Sequence, residues 1–423
     1  MKNVRFRRGS TSRKLARSSV RMNNSRPAVL TFLRYYLPGE KSGGPVRTLA
    51  NMVEALGEKV DFHIVTADRD VGDDAPYPQL AADGNWREVG RARVLYLPPS
   101  GRSVVDIARI LRETTHDTLY LNSFFDPVFT AIPLLARRLG LAPITRCVIA
   151  PRGEFSPGAL QLKAVKKSAY RTTVGLLGLY RDLIWQASSA SEAADIGREV
   201  GSIATDILVA PNLSAPIVAV PPPHSPRSAN QPLRVVFLSR ISPMKNLDFA
   251  LAVLRQVRVP IAFDIYGQLE DQSYWANCQE LFATLPPHVA VRYCGVLQHR
   301  DVPATLVRYD LFFLPTRGEN YGHAIVESLA VGTPVLISDA TPWRNLADQG
   351  IGWDLPLADP AAFAIRLEQV SASSESETMR HRQLAAAFFR AQVAGGSARA
   401  ANLSLFASLA RRGEPMEQRP SNG

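Results

Sequence analysis

Leu311-Phe-Phe-Leu-Pro-Thr-Arg-Gly-Glu-Asn-Tyr-Gly-His-Ala-Ile-Val-Glu-Ser-Leu-Ala-Val331 reads as a strand, a loop and a helix. The apolar run Leu311–Pro315 is short and ends in proline, as a buried parallel strand does. Gly322 lets the backbone turn tightly into a helix over His323–Val331. The amides of His323 and Ala324 are then first-turn donors without an intrahelical partner, and a helix N-terminus of this kind suits an anion such as a pyrophosphate. Glu319 lies in the loop just before it, and Glu327 in the second turn. Carboxylates are poor phosphate ligands and good acceptors for sugar hydroxyls. The competing reading makes Glu319 a partner of the helix dipole and places Glu327 on a solvated face.

Outward from this segment, strands alternate with helices. Before it come a strand at Leu233–Ser239, a helix at Asn246–Val257, a strand at Ile261–Tyr266, a helix at Ser273–Leu285, a strand at Val289–Cys294 and a helix at Asp301–Tyr309; Pro334–Ser338 closes the run as a strand. The N-terminal half repeats the theme. Strands are expected at Ala28–Tyr36, Val60–Thr66, Ala92–Leu97, Thr118–Asn122 and Ile144–Ala150, with helices at Val46–Leu56, Val104–Glu113 and Val128–Leu139. This alternation predicts right-handed βαβ units and parallel sheets. Between the halves, Pro211–Pro232 holds seven prolines in 22 residues and cannot continue a helix or a central strand. The expected organisation is a basic, disordered arm over 1–25, a first domain over 26–210, a linker over 211–232 and a second domain over 233–395. A C-terminal helix over 396–414, able to return to the first domain, and a polar tail over 415–423 complete it. Ligands of open α/β sheets sit at the carboxyl ends of the strands, so the expected site is the cleft between the domains.

Further segments could carry chemistry. Phe237-Leu-Ser-Arg-Ile-Ser-Pro-Met-Lys-Asn246 places Arg240 and Lys245 just after the first strand of the second domain. Two cations there can neutralise a diphosphate, arginine as a fork and lysine as a point charge; as isolated residues they are exposed loop cations. Pro38-Gly-Glu-Lys-Ser-Gly-Gly-Pro-Val46 has the G-x4-G spacing of a P-loop, but Pro45 stands where the phosphate-binding lysine must be, which excludes that motif. Gly43 and Gly44 still permit close backbone approach to a ligand. No G-x-G-x-x-G follows a strand, which speaks against a dinucleotide dehydrogenase. Asp68-Arg-Asp70 could hold a divalent metal, but the run continues into Asp73 and Asp74 and reads better as a solvated acidic loop. Of Lys163, Lys166, Lys167 and Arg171, three fall on one helical face as a basic stripe, suited to a lipid surface or an acceptor phosphate, or simply solvated.

Composition bounds these readings. The chain has 423 residues, 46% hydrophobic and 21% charged, ordinary globular usage. Cys147, Cys278 and Cys294 are too few for a disulfide framework or a zinc site and suggest a reducing compartment, so a cytoplasmic location is expected. Apolar runs fall far short of the roughly 20 residues that span a bilayer. Of the net charge of +11, eight positive charges lie before residue 22 with no acid among them, which leaves +3 for the rest. That segment is an arm that meets anionic lipid or nucleic acid, a solvated tail, or a stretch outside a protein whose translation starts at Met22.

Taken together, the motifs resemble the retaining glycosyltransferases of family 4. The resemblance rests on Ser239-Arg-Ile-Ser-Pro-Met-Lys-Asn-Leu247, Gly295, an E-x7-E in Glu319 and Glu327, and Ala330-Val-Gly-Thr-Pro-Val335. In the first half, Ser42-Gly-Gly-Pro-Val-Arg47 looks like the family's glycine-rich loop and Pro151-Arg-Gly-Glu-Phe155 like its Pro-Arg-Gly turn. It implies an α/β GT-B fold: two Rossmann-like, doubly wound domains facing each other across a cleft, the first for the acceptor and the second for a nucleotide-sugar. By resemblance, Arg240 and Lys245 hold the donor diphosphate, Glu319 contacts the donor sugar and Glu327 the ribose. The amides over Gly322, His323 and Ala324 support sugar and phosphate, and Gly43 and Gly44 lie against the diphosphate. Such enzymes usually need no metal or cofactor beyond the UDP- or GDP-sugar donor, and they keep the anomeric configuration. The sequence departs from the family where many members carry a histidine after the fourth strand. Tyr120-Leu-Asn-Ser-Phe-Phe-Asp126 has none, so Asn122 or Ser123 stands in or the role is absent. Relatives with Pro-Arg-Gly-Glu followed by basic residues often build bacterial surface polysaccharides. The expected function is therefore transfer of a hexose-type sugar to a glycan or lipid-linked acceptor in lipopolysaccharide O-antigen or exopolysaccharide synthesis. Peripheral contact with an anionic membrane at its inner face would accompany it, with no nucleic-acid partner. The alternative is a catalytically inactive GT-B scaffold or glycan-binding protein.

Overall fold

The structure, a computed structural model, describes residues 26–39, 41–78, 80, 84–161, 164–214, 225, 227–228, 231–393 and 396–406. The arm over 1–25, Lys163, most of the proline-rich stretch and the tail over 415–423 lie outside the described residues.

The first sheet is built from β1 Ala28–Phe32, β2 Asp61–Ala67, β3 Arg87–Val89, β4 Ala92–Leu97, β5 Thr118–Asn122, β6 Arg146–Ala150, β7 Ile184–Ala187 and β8 Asp206–Val209. Their spatial order is β3-β4-β2-β1-β5-β6-β7-β8, parallel except for the edge pair β3–β4. Successive residues of the central strands serve opposite faces, as the two-residue pleat requires. Leu30, Leu119 and Leu121 join the core on one face, and Val29 and Tyr120 the core on the other. The first strand stops at Phe32, short of the expected Tyr36; Leu33 and Tyr36 stay buried in the loop beyond it. The following helix starts at Gly44, two residues earlier than expected, because Pro45 is already set for a first helical turn.

The second sheet contains β9 Leu233–Leu238, β10 Ile261–Tyr266, β11 Val289–Tyr293, β12 Leu311–Leu314, β13 Val335–Ser338 and β14 Gly352–Leu355. All pairs are parallel and the order is β11-β10-β9-β12-β13-β14, the 3-2-1-4-5-6 winding of a Rossmann sheet. The strand order reverses between β9 and β12 here, and between β1 and β5 in the first sheet. At those two points adjacent loops leave the sheet in opposite directions and open a crevice.

The helix Glu375–Phe388 belongs to the second domain: the Arg382 guanidinium donates to the carbonyls of Tyr309 at 2.9 Å and Val307 at 3.0 Å. The helix Gly396–Phe406 packs on the first domain instead. Phe406 meets Phe62 and Tyr120 edge-on, with ring centroids 5.8 and 5.4 Å apart, and buried Asn402 donates to the Pro211 carbonyl at 2.7 Å. The C-terminal segment thus completes the first core. Phe406→Ala should remove about 3 kcal/mol or more from the first domain, seen in urea titration as an early transition that leaves the second domain's midpoint in place.

Candidate active site

The second-domain wall is two loops sewn together. After β9, Ile241 pairs its amide with the Gln268 carbonyl at 2.8 Å. Gly267 passes so close that a Cβ there would lie 1.7 Å from the Ser239 carbonyl oxygen, which only glycine avoids. After β12, the Thr316 hydroxyl lies 3.0 Å from the carbonyls of Met244 and Gly318, and Arg317 donates its amide to Met244 at 2.8 Å. Asn246, left-handed and buried, donates to the Pro315 carbonyl at 2.9 Å and accepts from Arg317 Nε at 2.9 Å. This stitching carries Lys245 to Glu319, and the two form a mostly buried ion pair, their side chains 10% and 14% exposed. Gly322 is left-handed at φ 75° and opens the helix His323–Ala330, whose first turn-closing bond runs from the Val326 amide to the Gly322 carbonyl. Arg240 reaches Glu270 at 2.8 Å with both partners half-exposed. An anion entering the cleft would have to compete with Glu270 for that guanidinium, at a cost of no more than about 1 kcal/mol. Glu270→Gln should therefore lower the nucleotide Kd up to about fivefold, measurable by isothermal titration.

The first-domain wall closes on this one. Gly43 is left-handed at φ 72° and faces Arg240; a Cβ there would sit 3.4 Å from Arg240 Nε. One helical turn on, Arg47 donates to Glu327 at 2.9 Å and the Thr48 hydroxyl lies 2.9 Å from His323 Nε2. Burial pushes Glu327 up to about 7 against the pull of Arg47, and its side chain is only 18% exposed, so the solvated-face reading of Glu327 is incorrect. Burial, reinforced by Arg47, brings His323 down to about 3, and burial brings His299 down to about 4; both are neutral at pH 7. Between the walls lies a cleft of about 920 Å³, ample for a nucleotide-sugar. A second pocket, beside Asp310 and Trp353, has only about 40 Å³, room for water alone. Eight of the nine predicted site residues line the large cleft: Gly43, Gly44, Arg240, Lys245, Glu319, Gly322, His323 and Ala324. Glu327 stands behind them against Arg47.

Residues 223–386, which carry β9 to β14 and both E-x7-E glutamates, match the family model described as glycosyl transferases group 1. The match covers most of the second domain. The chain is also similar to other sequences over short stretches: a phosphatidyl-myo-inositol mannosyltransferase of Mycobacterium leprae is 32% identical over 98 residues, 23% of this chain and 25% of that protein. An uncharacterized 41.2 kDa protein in the cps region of Klebsiella pneumoniae is 22% identical over 120 residues, 28% of this chain and 31% of that one. The matched segments thus span a quarter to a third of these relatives. Solved structures match both domains. Anabaena HepE in complex with UDP and glucose aligns with a TM-score of 0.66 at 16% identity, over 90% of this chain and 98% of that one. WaaG, a glycosyltransferase involved in lipopolysaccharide biosynthesis, aligns at 0.59 and 13% identity over 89% and 99%. The fold is GT-B.

The wall opposite the group 1 domain contains residues the sequence did not single out as a site. β6 ends in Pro151-Arg-Gly, where Arg152 and Gly153 are both left-handed, at φ 59° and 79°. That turn sends the Arg152 guanidinium to Asn122 Oδ1 at 2.9–3.0 Å, Asn212 Oδ1 at 2.7 Å and the Tyr120 hydroxyl at 2.5 Å. Glu154 turns the other way, into the core. It accepts from the Ser123 hydroxyl at 2.6 Å and from the amides of Phe124 and Phe125 at 2.5 and 3.2 Å, while burial pushes it up to about 7. Asn122 and Ser123, the two stand-ins for the absent histidine, are therefore both committed: Asn122 gives its oxygen to Arg152 and Ser123 its proton to Glu154. The linker also contributes, since the Ser214 hydroxyl lies 2.7 Å from the Tyr321 hydroxyl. A proline count reveals a linker but not which of its polar side chains face the cleft.

Two expectations change: the solvated acidic loop is not solvated at its start, since Asp68 and Asp70 are buried at 3% and 6% exposure, and part of the basic stripe is engaged. Asp68 pairs with Arg69 at 2.9 Å and with Arg102 at 3.5 Å, and Asp70 accepts the amides of Lys41 and Val71. No group of three or more metal-ligating side chains occurs among the described residues. Of the described members of the basic stripe, Lys166 is exposed, whereas Lys167 and Arg171 are engaged. Lys167 donates to the Ala159 carbonyl at 2.6 Å and lies over the Phe125 ring, and Arg171 pairs with Glu199 at 3.0 Å. Among the described residues no helix is long and apolar enough to cross a membrane.

Proposed function

We propose that the protein is a retaining glycosyltransferase that moves a hexose-type sugar from a nucleoside diphosphate donor to a glycan or lipid-linked acceptor, in bacterial polysaccharide synthesis. The observation that carries this reading is the Lys245–Glu319 pair beside the N-terminus of the helix His323–Ala330, on one wall of a nucleotide-sized cleft. Departure of a nucleoside diphosphate develops negative charge on the phosphate. Lys245 and the first-turn amides are a cation and dipoles already fixed where that charge grows, and Arg240 joins them on leaving Glu270. Glu319, steadied by Lys245, accepts from the sugar's hydroxyls. Glu327 receives the ribose hydroxyls when Arg47 shares its carboxylate. Retention rests on the E-x7-E likeness. HepE's complex with UDP-glucose favours a uridine donor over a guanosine one, and the cps-region relative and WaaG favour a surface polysaccharide. A lipid-linked acceptor would bring the chain to the inner face of the membrane, where exposed Lys166 and the cations before residue 22 supply the attraction.

A thermal-shift panel with UDP, GDP, ADP and CMP, with and without EDTA, tests the donor site. A ligand at a hundred times its Kd stabilises the native state by about 2.7 kcal/mol. UDP should raise the midpoint with and without EDTA. No shift with any of the four would transfer the weight to an inactive scaffold.

A further inference from the structure

Among the described residues, five cations line the cleft: Lys41, Arg47, Arg152, Arg240 and Lys245. Four of them are paired with carboxylates, Lys41 with Asp73, Arg47 with Glu327, Arg240 with Glu270 and Lys245 with Glu319. Arg152 is different. Among the described residues its partners are three neutral oxygens, those of Asn122, Asn212 and Tyr120. The nearby acids are committed elsewhere: Glu154 to Ser123 and two amides, and Glu192 to the Gly153 amide at 2.6 Å and the Ser188 amide at 2.7 Å.

The arrangement is built for this cation. Asn122 is 1% exposed and turns its oxygen to the guanidinium, which leaves its buried Nδ2 without a partner. Tyr120 donates its own proton to Gln186 and so presents only a lone pair to Arg152. The arginine itself holds a left-handed backbone conformation, disfavoured for any residue with a Cβ. A strained backbone, an unpaired amide and three oriented dipoles fix a charge that no carboxylate neutralises. A guanidinium also has five N–H donors in a plane, and NH1 spends one of its two on Asn212, so one is left for a ligand. Its position on the first-domain wall, opposite the donor loop, assigns that ligand to the second substrate. The adjacent Gly153 lies against Asn320 of that loop.

We propose that Arg152 binds an oxyanion of the acceptor, a phosphoryl or carboxylate group, on the first-domain side of the cleft. This rests on the reading of the cleft as a sugar-transfer site. The acceptor class is thereby a phosphorylated carrier or an acidic glycan, not a neutral oligosaccharide.

The test uses full-length protein saturated with UDP, titrated calorimetrically with inorganic phosphate in one arm and glucuronate in the other. The wild type should bind one of them saturably, and the arm that responds names the source of the oxyanion. Arg152→Gln should weaken that binding at least tenfold with UDP affinity unchanged, and Arg152→Lys should retain part of it. UDP affinity reports separately on the donor site and on folding. If UDP binds the wild type but neither anion does, the acceptor assignment is wrong and the donor site stands. If Arg152→Gln or Arg152→Lys weakens UDP binding as much as anion binding, Arg152 belongs to the donor and the proposal is overturned. An unchanged anion Kd in Arg152→Gln overturns it as well.

Discussion

Lys245→Ala is expected to lower turnover of the donor by about 10²–10³-fold, the size of effect seen when one preorganised donor to a developing anion is removed. The assay is release of nucleoside diphosphate from its sugar conjugate. The lysine carries two roles that must be separated. On the proposed reading it faces the place where leaving-group charge grows, and it neutralises Glu319, whose side chain is 14% exposed. Removing one partner of a buried pair leaves an uncompensated charge, so Lys245→Ala alone should also lower the melting temperature. Lys245→Ala combined with Glu319→Gln removes that uncompensated charge. The account expects the double variant to regain most of the lost thermal midpoint and none of the turnover. Recovery of turnover together with stability would show that the lysine acts only as a structural counter-ion.

Gly153→Ala is expected to reduce kcat/KM by about 10²-fold, the cost that a misplacement of about 1 Å can carry. Gly153 is left-handed at φ 79°, and a Cβ there would lie 2.7 Å from Asn320 Cβ on the opposite wall. Carbon atoms do not approach that closely, so the walls must part. Gly158 is similarly tight, 3.0 Å from the Arg317 carbonyl, so the closing surface has little slack around it. Parting the walls would stretch the Arg47–Glu327 and Thr48–His323 contacts, both made across the cleft. Small-angle scattering should report a larger radius of gyration for Gly153→Ala, with nucleotide affinity for the second domain falling less than kcat/KM. Gly175→Ala, in an exposed helix with nothing within 4 Å of its added Cβ, should change neither measurement. Equal activity in both variants would remove closure from the account.

Much of the second domain was legible because its strands are buried on both faces and so appear as short apolar runs bounded by glycine, proline or polar loops. Ile261–Tyr266 occurs as read, and Leu311–Pro315 and Pro334–Ser338 lose one residue each. The first domain was harder to read. β7 and β8 are four residues each, and β7 carries Gln186 fully inside, where it bonds Tyr120 and the Ala210 carbonyl; a buried glutamine breaks the apolar run that marks a strand. The edge strand Arg87–Val89 is charged and three residues long, below any periodic signal.

The site divides along a similar line. Glu319, Lys245 and Arg240 could be placed from sequence because each follows a recognisable strand in one domain. Their partners could not. Arg47 and Glu327 are 280 residues apart and meet only because two separately folded sheets close on each other. Arg240 finds Glu270 through the loop after β10, and nothing in either segment announces the pair. Arg152 was visible as part of a Pro-Arg-Gly turn, yet its charge environment depends on Asn122, Asn212 and Tyr120, contributed by the end of β5 and the linker.

Isothermal titration of UDP into the wild-type protein and into Lys245→Ala combined with Glu319→Gln tests the central claim, that the second-domain wall is a nucleoside diphosphate site organised by this ion pair. The account predicts saturable one-to-one binding to the wild type and at least tenfold weaker binding to the double variant, with both proteins folded. Equal UDP affinity in the two proteins, or no binding of UDP or GDP to folded wild type, would contradict it.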